Sequence, residues 1–75
     1  MAEKVQKGIE KAIEYARKNG EYYEYYAGSA ITAQLAGELV KIVNSIHVDG
    51  FEINYRVGPH ARGFYWSELE IKKVA

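Results

Sequence analysis

The residues best suited to recognition chemistry gather around one glycine-bounded loop: Arg56, His60, Arg62, Phe64 and Trp66. Cations beside aromatic rings are what single-stranded nucleic-acid sites use, where a stacked base is worth about 1–3 kcal/mol. Arginine and tryptophan are equally the residue types of protein–protein hot spots. A third role is structural, with Phe64 and Trp66 covering the sheet and Arg56 stacked on them as a cation–π pair. A second aromatic group stands in Tyr22-Tyr23-Glu24-Tyr25-Tyr26, which holds four of the chain's seven tyrosines. Each tyrosine joins a large apolar body to a hydroxyl that wants a partner, so it favours sheet faces and interfaces. Four adjacent rings cannot all enter a small core, and one or two of them are expected to remain accessible for binding.

Other chemistries find less support. The pair His47 and Asp49 and the distant His60 do not make the three or four convergent ligands a metal site needs, and no metal or other cofactor is expected. Ser29 has the place of a helix N-cap, Ser45 of a helix end and Ser67 of a mid-strand residue, none of them in a nucleophile elbow. Glu68 and Glu70 share one strand face with Glu52 opposite, and solvated surface charge is their plain reading. The segment Gly58 to Gly63 contains Pro59 and opens no helix, so it is not a phosphate loop. A chain this small encloses a deep pocket with difficulty. These readings point away from an enzyme.

The elements that must position those residues follow from size and periodicity. Seventy-five residues without a cysteine make one domain over 1–75 that no disulfide staples. Such a chain buries only about 60–65% of the surface its unfolded form exposes, so a compact core and self-association are its two supports. Ten basic and ten acidic residues balance, which leaves no global pull toward polyanions. The first residues contain no apolar run of the kind a signal peptide has, and no stretch approaches the ~18 apolar residues of a membrane span. A cytoplasmic location is expected, with no membrane partner.

Val5, Ile9, Ala12, Ile13 and Ala16 recur with helical period and predict a helix over 3–19, stopped by Asn19-Gly20. Ile31, Leu35, Leu39, Ile42 and Ile46 predict a second helix over 30–45 with Ser29 as its cap; its apolar face is the wider, which would make it the central helix. Gly8 and Gly37 would mark close backbone approaches. From residue 47 the period becomes two, predicting a hairpin of strands 51–57 and 64–74. Short extra strands are candidates at 22–27, where a turn of helix fits nearly as well, and at 46–48, the latter ahead of the turn signal Asp49-Gly50. Matching apolar faces sets Val57 opposite Tyr65, Ile53 opposite Leu69 and Phe51 opposite Ile71, which brings Arg56 beside Trp66 and Asn54 beside Glu68.

The expected fold is thus α+β, two helices packed on one face of a small antiparallel sheet. The expected function is that of a small non-catalytic binding module acting through a protein–protein interface, as an inhibitor or regulator, with self-association to a homodimer. The alternative is nucleic-acid or nucleotide binding through the basic-aromatic hairpin tip.

Overall fold

In the computed structural model, which describes residues 1–74, the chain runs α1 (Ala2–Asn19), β1 (Glu21–Thr32), α2 (Ala33–Asn44), β2 (Phe51–Pro59), a 3-10 turn (Ala61–Gly63) and β3 (Phe64–Lys73). The strands form one antiparallel sheet in the order β1-β3-β2, with the last strand in the centre. Both helices pack on the same sheet face, as the sequence pattern predicts. The core joins Ile9, Ala12, Ile13 and Ala16 of α1 and Val43 of α2 to Leu69 and Ile71 of β3.

Helix α1 forms where its period predicts, and Gly20 ends it with φ +93°, a left-handed conformation that only glycine adopts without strain. The Gly20 amide donates to the Ala16 carbonyl at 2.7 Å. Helix α2 begins three residues later than Ser29 implies. The cap is Thr32, whose Oγ1 accepts from the Leu35 amide at 3.2 Å. Residues 28–32 are extended instead: Ile31 and Thr32 are β-branched, which favours the strand, and β1 keeps the chain until the capping hydroxyl at Thr32. The tyrosine segment is therefore strand, and it is longer than the short stretch expected at 22–27. Between Ala27↔Trp66 and Thr32↔Phe64 the pairing slips, because β1 spends more residues there than β3.

Three further expectations are corrected. No strand forms at 46–48: Ile46 and Val48 are half-buried in an irregular link that closes through a Phe51 amide bond to the Val48 carbonyl. The hairpin register is Val57↔Ser67, Ile53↔Ile71 and Phe51↔Lys73, two residues from the one expected. A two-residue slip leaves every side chain on its own face, so apolar matching cannot detect it. The turn decides instead, since Arg62 (φ +59°) and Gly63 (φ +80°) put the reversal at 61–63 rather than across 58–63. Pro59 accordingly ends β2 and is not a turn residue. Finally, α1 and not α2 is the more deeply buried helix. It places four residues in the core, while α2 buries Ala36 and Val43 and leaves Leu35, Leu39, Val40 and Ile42 half-covered.

The two helical glycines mark no close approach. A Cβ at Gly8 or at Gly37 would meet nothing within 4 Å. Their places lie along a groove of about 470 Å³ between the helices and the sheet or on open surface. Glycine in a helix interior costs about 1 kcal/mol against alanine. Gly8→Ala and Gly37→Ala are each expected to raise stability by about 0.5–1 kcal/mol in urea unfolding, with additive effect in the double variant. A loss of stability in either would place a neighbour where the groove is open.

Candidate functional site

The helices cover one face of the sheet and leave the other open. Side chains alternate along a strand, so with Tyr22, Ile53, Tyr55, Leu69 and Ile71 turned to the core, the open face carries Tyr23 and Tyr25 from β1, Trp66 and Glu68 from β3, and Arg56 from β2. The tyrosine cluster is thereby divided. Tyr22 packs on the core and meets Tyr15 edge-on with ring centroids 5.7 Å apart. Tyr26 also lies on the helix side, its hydroxyl against Gly28, although it is 41% exposed. Tyr23 and Tyr25 stand on the open face with more than half of their surface in water, at 56% and 55%.

Trp66 is the anchor of this face. Its cross-strand neighbour on β2 is Gly58, and the indole lies flat over that glycine: a Cβ there would come within 2.7 Å of the indole nitrogen. Gly58 is buried as a result, and Trp66 is half-buried. On the other side Tyr25 stacks against the indole, with centroids 6.2 Å apart and planes 29° apart. Such offset pairs add about 0.5–1.5 kcal/mol beyond the area they cover. Phe64 and His60 continue the open-face row toward the tip, where the His60 amide donates to the Phe64 carbonyl at 2.8 Å. Arg62 is exposed at the end of the hairpin.

Arg56 is not stacked on Trp66. The two-residue shift in register sets it opposite Glu68, and its guanidinium donates to Glu68 Oε1. The Tyr23 hydroxyl donates to the other oxygen of the same carboxylate at 2.5 Å. One glutamate thus ties β1, β3 and β2 together across the open face. The Tyr23 hydrogen bond, and next the Arg56 bond, hold the Glu68 carboxyl below its ordinary range, while the same bond to Glu68 pushes the Tyr23 phenol up. A carboxyl whose pKa is lower in the folded state stabilises the fold above its unfolded pKa, and that contribution is lost as pH falls through the folded value. Between about pH 5 and pH 3 wild type is therefore expected to lose more stability than Glu68→Gln. Parallel losses in acid unfolding titrations of the two proteins would mean that the triad contributes nothing.

Two further polar pairs lie on this face: the Asn54 amide donates to Glu52 Oε1 at 2.9 Å, and Lys72 Nζ lies 3.9 Å from Glu70 Oε2. Glu21, Glu52, Glu68 and Glu70 stand against Arg56 and Lys72, so the sheet face is net acidic. Of the residues singled out by sequence, Tyr23, Tyr25, Phe64, Trp66, Arg56 and His60 fall on this one face, Arg62 lies at its end, and Tyr22 and Tyr26 face the helices. Sequence reasoning passed over Glu68 as surface charge and read Gly58 as the start of the loop, whereas it lies within β2. A glycine in a strand that also offers a tryptophan opposite is the signal for the second, since the ring covers what the missing side chain leaves bare.

No group of three or more histidine, aspartate or glutamate side chains converges among the described residues. No helix there is long and apolar enough to cross a membrane. No protein family, curated protein or solved structure matches this chain.

Proposed function

We propose that the protein is a non-catalytic binding module that engages another protein through its open sheet face, with Trp66 and Tyr25 as the anchor and Tyr23, Arg56 and Glu68 as the polar surround. The single observation that carries this reading is the stacked Tyr25–Trp66 pair on a sheet face that no helix covers. Aromatic rings already held in place bind with little loss of side-chain freedom, and a tryptophan beside the Tyr23–Glu68–Arg56 polar cluster has the composition of an interface hot spot. A role as inhibitor or regulator of that protein fits a chain of this size.

Charge argues against single-stranded nucleic acid as the ligand. A site for it needs free cations along the path of the phosphates. Here Arg56 is tied to Glu68, and the face is net acidic, which leaves only Arg62 and His60 near the tip.

The test is a quantitative capture experiment in which Trp66→Ala and Tyr25→Ala are compared with wild type and with the remote surface variant Lys4→Ala. The same protein partner should be retained by wild type and Lys4→Ala and lost, by tenfold or more, with both aromatic variants. In parallel, Trp66 emission should not respond to mixed-sequence single-stranded DNA at low salt. Capture indifferent to Trp66 and Tyr25, or salt-sensitive quenching by DNA, would overturn the reading.

A further inference from the structure

The main-chain groups of β1 point to a partner of a different kind from the one proposed for the open face. The Lys73 amide donates to the Gly20 carbonyl at 2.9 Å, which makes those two residues a hydrogen-bonded pair. In an antiparallel ladder such pairs alternate with pairs whose main-chain groups turn away. Tyr22, Glu24 and Tyr26 therefore bond to β3, and the N–H and C=O groups of Glu21, Tyr23, Tyr25 and Ala27 lie along the free edge of the sheet. The same counting on the opposite edge puts Pro59, which has no N–H, at an outward position of β2, a strand whose side chains include the charged Glu52 and Arg56. Proline and charge are the usual protection of an edge. Over residues 21–29, β1 has no proline and no basic residue, and its two charges are Glu21 and Glu24.

We infer that β1 pairs antiparallel with β1 of a second copy of this chain about a two-fold axis at Tyr25, joining the two sheets into one of six strands. The axis stands perpendicular to the sheet, because only then do core faces and open faces stay on their own sides. Such an axis passes through a residue, and the sequence chooses which. An axis at Glu24 sets that carboxylate against its own copy, which is destabilising. With the axis at Tyr23, the end of the partner's strand runs past Gly20 alongside α1. At Tyr25 the regular part of the strand overlaps best: Tyr23 meets the partner's Ala27 and Glu24 meets the partner's Tyr26. No like charges are opposed, Glu24 faces a hydroxyl, and roughly six main-chain hydrogen bonds form. Two aromatic platforms then adjoin across the axis on one continuous open face.

This pairing stands whether or not the open face binds another protein, and its test does not involve that partner. Sedimentation equilibrium of the wild-type chain, from low to high micromolar concentration, should show a mass rising from 8.5 kDa to twice that value. Because the chain has no cysteine, single replacements report the register without ambiguity. Under mild oxidation Tyr25→Cys should cross-link to itself, since the paired Cα atoms lie about 5.5 Å apart. Tyr23→Cys and Ala27→Cys should each remain uncross-linked alone and should cross-link when mixed. Tyr25→Pro removes the central donor to the partner but none to β3, so it should be folded by circular dichroism and monomeric. A wild-type mass of 8.5 kDa throughout, as an edge reserved for another protein's strand would give, overturns the inference. Self-cross-linking at 23 or 27 in place of 25 overturns it as well.

Discussion

Ile71→Ala is expected to remove most of the stability of this domain. Ile71 has no exposed surface and is the largest fully buried side chain, in the central strand, with Tyr22 on one side and Ile53 on the other. Both outer strands flank it directly while the helices close over it, and unlike Leu69, the other core residue so placed, it has no exposed surface at all. Truncating a buried isoleucine to alanine costs about 2–5 kcal/mol, the upper half where surroundings cannot collapse into the space. A pleated central strand bonded on both sides cannot move in to fill it. At about 0.05–0.15 kcal/mol per residue a chain of this length has roughly 4–11 kcal/mol in total. The thermal midpoint should fall by at least about 10 °C, given 4–8 °C per kcal/mol for domains of this size. Val74→Ala, at a residue 59% exposed just past β3, should stay within about 0.5 kcal/mol of wild type. A midpoint shift of only a few degrees for Ile71→Ala would mean that β3 does not occupy the centre of the sheet.

That central position marks where sequence pattern stops being informative. The two-residue alternation of 51–57 and 64–73 is strong because one face is buried and the other wet, and it identifies both strands and the side each residue takes. It carries nothing about which strand lies between the others. Strand order follows from β1, and β1 was hard to read for two reasons. Its tyrosines are amphipathic enough for either face, and Gly28-Ser29 imitates a helix start that the chain does not use until Thr32. The composition of the site was legible: aromatic residues in excess of what a small core can absorb had to be on the surface, and Tyr23, Tyr25 and Trp66 are. Its wiring was not. The partners of Arg56 depend on a register that a two-residue slip alters without moving any residue to another face, so the cation expected on Trp66 is found on Glu68. The left-handed turn at Arg62 and Gly63 goes with that register, and no hydrophobic pattern reports it.

Gly58→Val should uncouple the tryptophan from the sheet, and its effect should exceed what its place near the hairpin end suggests. The indole occupies the volume in which any side chain at residue 58 would begin, so ring and side chain cannot both lie on the strand. The backbone there is held by its pairing to β3, which leaves the ring to move. Overpacking of this kind costs about 1–3 kcal/mol. Turning the indole outward also breaks the Tyr25 stack, worth a further 0.5–1.5 kcal/mol or so. Two readouts separate this from a general loss of structure. Trp66 emission should shift to the red while circular dichroism keeps the strand and helix signals. In a double-mutant cycle, Gly58→Val made in a Trp66→Ala background should cost about 1 kcal/mol or more less than in wild type, since the ring it displaces is gone. Equal costs in the two backgrounds would mean that the indole does not rest on Gly58. If the cycle shows coupling, capture of a protein partner by Gly58→Val tests the platform itself: both rings are still present, and only their fixed arrangement is lost. Binding that falls with that arrangement requires the preformed pair, whereas undiminished binding would assign the affinity to the rings individually.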